Sequence, residues 1–199
     1  MPYSCRFITG PMRSSKTSAL KQHILSIVLR GDHAVVFRPA GDSQRWNNDE
    51  KHPNRVTHDG QGYLPIEQSP EVYKRLTVVE TKLLCDQLDY IKTTKLKEVL
   101  VDEFQFFNAK GDAFQFLQTM AKEKISVTIA GLTLNWKREM FHNVVECFGL
   151  FTHIEHKYAR CNKCGEKATF TAKVDKSKTD ILQVGDKEYE SRCHACFDV

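Results

Sequence analysis

No stretch of this chain approaches the roughly 18 consecutive apolar residues that a membrane-spanning helix needs. The opening MPYSCRFITG also lacks the shape of a secretory leader. A membrane role and a secreted destination are therefore not expected, and a cytoplasmic one is. Strong charge of one sign is missing too: 29 Lys+Arg stand against 25 Asp+Glu, a net charge of +4. So weak a bias gives no electrostatic reason to expect a nucleic-acid partner. The even cysteine spacing of a small stapled domain is absent as well, since four of the seven cysteines fall in two close pairs and three are scattered. At 199 residues there is room for one ordinary core and a small appendage.

One further absence is local. Gly10-Pro11-Met12-Arg13-Ser14-Ser15-Lys16-Thr17-Ser18 follows the phosphate-loop pattern G-x-x-x-x-G-K-[ST] except that Ser15 stands where the second glycine belongs. In that pattern backbone N–H groups wrap the phosphates, the lysine meets the terminal phosphates and the hydroxyl holds Mg²⁺. The alternative is a polar turn before a helix, and context bears on the choice. Arg6-Phe7-Ile8-Thr9 reads as a strand entering the loop, and SALKQHILSIVLRG reads as the helix leaving it, with Leu20, Ile24, Ile27 and Val28 on one face and Gly31 as its stop. A strand-loop-helix unit aims the positive end of the helix at bound phosphates. If Ser15 needs a left-handed backbone, it costs about 1–2 kcal/mol relative to glycine. Arg13 is expected to face solvent.

Farther on, AVVF (Ala34 to Phe37), EVLVDEF and ISVTIAGL read as strands, and a helix opens at Ser69-Pro70-Glu71 with a cap and a first-turn proline. Val- and Ile-rich strands separated by helices imply an α/β protein with a central, mostly parallel sheet covered on both faces. Val99-Leu100-Val101-Asp102-Glu103 runs three apolar residues into two acids. Asp102 is suited to share Mg²⁺ with Thr17. Side-chain alternation along the strand should turn Glu103 elsewhere, free for another task; a solvated acid pair is the bland alternative. The long polar stretch from Arg38 to Ser69 reads as a mobile loop or lid.

Cys161-Asn162-Lys163-Cys164 and Cys193-His194-Ala195-Cys196 are two C-x₂-C knuckles with 28 residues between them. Together they make a closed, structural tetrahedral Zn²⁺ site, with two local disulfides as the competing arrangement. His194 is not needed as a ligand, and Cys5, Cys85 and Cys147 read as small core residues. The 28 intervening residues alternate β-branched or aromatic residues with charges, which suits a zinc-anchored hairpin or a long exposed loop, and hence a lid held at its base.

Taken in order, these pieces resemble the type II thymidine kinase family, the small zinc-containing kinases of cells, bacteriophages and large DNA viruses. GPMRSSKTS is similar to the family's G-P-M-F-S-G-K-S-T loop, VDEFQFF to D-E-x-Q-F-F, and AGLTLNWKREMF to A-x-L-D-G-T-F-x-x-x-x-F. ATFTAKV, VGDKEY and the two knuckles complete the series. The resemblance implies a RecA-like P-loop domain over residues 1–150 and a zinc-anchored lasso domain over 151–199. It implies ATP and Mg²⁺ as phosphoryl donor and cofactor, structural Zn²⁺ on Cys161, Cys164, Cys193 and Cys196, thymidine as acceptor, dTTP as a feedback inhibitor and a homotetramer. It makes Glu103 the general base toward the nucleoside 5′-hydroxyl. It places Met12, Phe106, Leu132, Trp136, Phe141, Thr171, Leu182 and Tyr189 around the nucleoside, with lid backbone from Asp180 to Gly185 at the base edge; on residue type alone these aromatics fit a core equally well. Departures from the family pattern are Ser15, Thr133 in place of an acid, and Val184 in place of a lid glycine. RPAGDSQRWNNDEKHPNRVTHDG resembles the family's D-T-R…T-H-D region, including His58 and Asp59, but an extra residue follows Asp42, so either Gln44 or Arg45 takes the arginine's place. Two other classes stand beside the kinase: a RecA-type ATPase in which Glu103 activates water, and a catalytically impaired, zinc-binding relative.

Overall fold

The computed structural model describes residues 2–40, 63–64, 70–174 and 188–197. Strands β1 (Cys5–Thr9), β2 (Ala34–Pro39), β3 (Leu76–Thr81), β4 (Glu98–Val101), β5 (Ser126–Gly131) and β6 (His153–His156) form one sheet in the order β3-β2-β4-β5-β1-β6. Every described pairing in it is parallel. The α-helices among the described residues are α1 (Lys16–Leu29), α2 (Pro70–Tyr73), α3 (Leu88–Thr94), α4 (Asp112–Lys122) and α5 (His142–Cys147).

Alternation along β2, β4 and β5 divides the core between the two faces, as the period of two requires. Val35 and Phe37 of β2, Val99 and Val101 of β4, and Val127 and Ile129 of β5 join Phe116, Leu117 and Met120 of α4 and Val144 of α5. Ala34, Val36, Leu100 and Ala130 turn the other way, onto the α1 residues Leu20, Ile24, Ile27 and Val28. Those four are the buried face of α1 that the sequence pattern marks. The helix ends as expected at Gly31: with φ +89°, its N–H bonds to Val28 O while Asp32 N–H reaches Ile27 O, a Schellman closure.

Other expectations need correction. The polar stretch does not begin at Arg38, which lies in β2 at 1% exposure with its guanidinium bonded to Glu80. The helix at Pro70 is a single turn. Cys85 is half-buried, whereas Cys5 and Cys147 are core residues. Asp42, Gln44, Arg45, His58, Asp59, the segment from Asp180 to Gly185, Leu182 and Val184 lie outside the described residues.

The C-terminal region builds two small antiparallel pairs, β7 (Ala159–Arg160) with β8 (Lys167–Ala168) and β9 (Phe170–Lys173) with β10 (Tyr189–Arg192). Its own apolar cluster consists of Ala159, Cys161, Ala168 and Cys193, with Cys196 against it.

Candidate active site and zinc centre

The loop after β1 leads straight into α1. Gly10, at φ +148°, has no space for a side chain, because a Cβ would stand 2.3 Å from Lys157 O. Arg13 and Ser15 both take left-handed backbone, at φ 59° and 62°. The question at Ser15 is thereby answered: serine sits in the conformation glycine favours, at about 1–2 kcal/mol. Left-handed residues within such a loop curl N–H groups toward a common point, an anion-binding concavity. No side chain caps the N-terminus of α1 and no acid lies in its first turn, so its N–H groups face the loop. Arg13 is exposed, while Thr17 is half-buried in the first helical turn.

Lys16 Nζ donates to Pro11 O at 2.7 Å and to Ser14 Oγ at 3.3 Å. Desolvation brings the ammonium down to about 8, opposed by the charges of Glu103 and then Asp102. The lysine of the loop and the two acids beyond β4 therefore share one electrostatic site. They reach it although β5 stands between β1 and β4, because both loops leave the same, C-terminal edge of a parallel sheet, where such folds gather their ligands.

β4 ends at Val101, one residue before the acids. Strand alternation therefore does not aim Glu103; a left-handed backbone does, at φ 52° and ψ 46°. Asp102 is 1% exposed. Its Oδ1 accepts the Glu103 N–H at 2.9 Å and its Oδ2 accepts the Tyr63 hydroxyl at 2.9 Å. Burial and the facing Asp102 push Tyr63 well above its ordinary value, keeping it a donor. A carboxylate beside the hydroxyl-bearing first turn of α1 is the hard oxygen donor that Mg²⁺ takes, so Asp102 and Thr17 could hold that ion. Sequence reasoning missed Tyr63, which belongs to no motif, and Gln105, which lies inside one but carries no chemistry by its residue type. Gln105 Nε2 donates to Glu103 Oε2 at 2.5 Å and its Oε1 accepts the Leu132 N–H at 2.9 Å.

Of the residues expected around a nucleoside, Met12 and Thr171 meet directly, the Met12 N–H donating to Thr171 Oγ1 at 2.9 Å. Tyr189 faces Lys173 across the β9–β10 pair, and Lys173 Nζ lies 5.3 Å from the Trp136 ring centre. Phe106 and Leu132 are half-buried, and Leu132 is tied to the turn carrying Phe106 through Gln105. Phe141, at 8% exposure, packs in the sheet core. Thr133, in the place of an acid, shares a 2.6 Å hydrogen bond with Thr9 at the end of β1. A cavity of about 210 Å³ opens beside Gly10 and Pro11 and includes Thr133 and Thr171 in its walls, but neither Lys16 nor Glu103.

The four knuckle cysteines place their Sγ atoms within 4.8 Å of one another, and Cys164 Sγ lies 3.6 Å from Cys193 Sγ. Tetrahedral zinc–thiolate bonds of about 2.3 Å imply S···S edges of about 3.8 Å, so the cluster could hold zinc with little movement. Desolvation would raise Cys161, but backbone N–H groups of Cys193, Cys164 and Lys163 outweigh it and draw the thiol to about 6. The neighbouring thiols Cys164 and Cys193 push Cys196 up to about 12. Four thiolates this close need a cation to ionise together, and a closed set of four suits a structural ion.

The thymidine kinase family matches residues 3–197. The chain belongs to the thymidine kinase family. A thymidine kinase of fowlpox virus (strain NVSL) is 33% identical over 196 residues, 98% of this chain and 96% of that protein. A thymidine kinase of Amsacta moorei entomopoxvirus is 26% identical over 196 residues, covering 98% of both chains. As a family member the chain is a kinase. Among the described residues no helix is long and apolar enough to cross a membrane.

Proposed function

We propose that this protein transfers the γ-phosphate of ATP to the 5′-hydroxyl of thymidine, giving dTMP and ADP. The observation that carries the proposal is that, in a chain of the thymidine kinase family, the lysine loop after β1 and the acid pair after β4 leave the same edge of the parallel sheet. Glu103 accepts the hydroxyl proton as the nucleoside oxygen attacks the γ-phosphorus, a role worth about 10²–10⁴ in rate. Lys16 and the N–H groups of the loop from Gly10 to Ser18 balance the charge that spreads over the transferred phosphoryl oxygens. Thr17 and Asp102 would hold Mg²⁺, which would offset the negative charge of the phosphates. Met12, Phe106, Leu132, Trp136, Thr171 and Tyr189 are the residues we assign to the nucleoside.

The zinc module, which we place in a second unit over residues 151–199 whose first strand β6 docks in the main sheet, supports both subsites. Ser191 Oγ donates to Met12 O at 2.7 Å while Thr171 accepts the Met12 N–H. Both backbone groups of a phosphate-loop residue are thus held from the zinc side. The same family reading carries a cytoplasmic homotetramer inhibited by dTTP. The deciding experiment measures ADP formation from ATP and Mg²⁺ with and without thymidine, in the wild type and in Glu103→Gln. Turnover that depends on thymidine and falls by about 10² or more in the variant is expected. Thymidine-independent ADP formation would favour a water acceptor and sink the proposal.

A further inference from the structure

The turn after Glu103 carries a side chain that the transfer step above does not use. Gln105 is only 2% exposed, and a buried amide is costly unless its polar atoms are bonded. Both ends are bonded here, to Glu103 Oε2 on one side and the Leu132 N–H on the other. The orientation of the amide is forced, because a backbone N–H can only donate and an ionised carboxylate can only accept. The surroundings leave it one seat. A Cβ on Gly131 would stand 3.0 Å from Gln105 Oε1 and 2.9 Å from Phe104 Cβ. Asn143 Nδ2, from α5, donates to Phe104 O at 2.6 Å and anchors the turn from the opposite side.

We propose that Gln105 is a positioning residue for phosphoryl transfer, holding the Glu103 carboxylate in line with the nucleoside and referencing it to the Leu132 backbone just past β5. The proposal rests on Glu103 acting as the base. A glutamate side chain has three torsions, and Glu103 stands on a left-handed residue at the edge of a short turn, so its own backbone does little to fix its carboxylate. Anchoring one oxygen fixes the direction of the other. A misplacement near 1 Å can cost about 10²-fold in rate. A neutral amide also suits the task chemically, because it orients the carboxylate without the full positive charge of Lys or Arg, which would make it a poorer proton acceptor.

The test compares Gln105→Met in two backgrounds, wild type and Glu103→Gln, by steady-state kinetics with ATP, Mg²⁺ and thymidine. In the wild-type background kcat should fall roughly 10- to 100-fold while KM for thymidine changes less than about threefold. In the Glu103→Gln background the same substitution should cost less than about twofold, since residues acting as one unit are not additive. An equal loss in both backgrounds, or a loss confined to KM, would make Gln105 a structural element of the pocket and overturn the proposal. If Glu103→Gln alone retains full turnover, the base assignment fails and this proposal falls with it, a result distinct from additivity. Thermal melting identifies a variant that does not fold. Gln105→Asn, which keeps both polar groups on a stem too short to span both partners, then carries the same two-background comparison.

Discussion

The central sheet and the zinc module stabilise themselves by different means. The sheet buries two large apolar clusters, one on each face, with β2, β4 and β5 contributing to both. Among the described residues the module has four clustered buried apolar residues, two of which are the cysteines Cys161 and Cys193. A core that small supplies little hydrophobic free energy, and chains in that position depend on disulfides or metal. Its cysteines are clustered as a metal site. Yet this smaller region is the one that grips Met12, so a metal held by its cysteines would also steady the loop after β1.

The largest expected effect breaks the module alone. Cys161→Ser should abolish bound zinc, measured by atomic absorption, and remove thymidine-dependent turnover. In small zinc peptides the metal supplies about 10–16 kcal/mol of apparent binding free energy at neutral pH, which there is folding free energy. The far-UV circular dichroism of the helices should persist, and its complete loss would show that the two regions are one cooperative unit. Phe116→Ala strikes the other side of the comparison. This fully buried ring meets Phe37 edge-on, and its removal should lower stability by about 3–5 kcal/mol in urea titration while zinc content stays unchanged. A variant that loses zinc in parallel with its sheet would contradict the division.

Smaller effects sharpen the comparison within the sheet region. Ser15→Gly relieves the left-handed strain at the loop and should stabilise by about 1 kcal/mol, raising the melting temperature by about 2–4 °C in a chain of this size. No gain would mean that the serine side chain offsets its own strain. The smallest effect concerns Glu98, at the start of β4. Desolvation would raise it, but the hydrogen bonds from His23 and Thr128 prevail and hold it below its ordinary value. Its contribution is therefore complete above the unfolded carboxylate value of about 4.3 and is lost as pH falls through the lower folded value. His23→Ala should reduce stability by about 1 kcal/mol near neutral pH and flatten the acid limb of the stability profile. An unchanged acid limb would remove the tie between α1 and β4 from the account.

Much of this molecule is legible locally. The apolar face of α1, the stop at Gly31 and the runs of β2, β4 and β5 follow from side-chain period and backbone preference over a few residues. The knuckles Cys161–Cys164 and Cys193–Cys196 are legible because thiolate spacing at short range already defines half a tetrahedron. The strands β3 and β6 carry weaker patterns, being edge strands with exposed and charged positions, such as Glu80 and the exposed ends of β6. Phe141 illustrates the limit for aromatics, since residue type fits a core or a pocket and only packing places it.

By itself the sequence determined the chemistry available: a lysine loop, a paired acid, four thiols, and apolar periods that make strands and helices. Those properties reside in residue types and short spacings. Tertiary structure alone decided that Ser15 and Glu103 take left-handed backbone, that Tyr63 and Gln105 secure the two acids, and that Thr171 and Ser191 reach back to Met12. Such contacts join residues that chain order separates widely. They exist only once the parallel sheet has brought its loop ends to one edge and folding has closed the intervening chain.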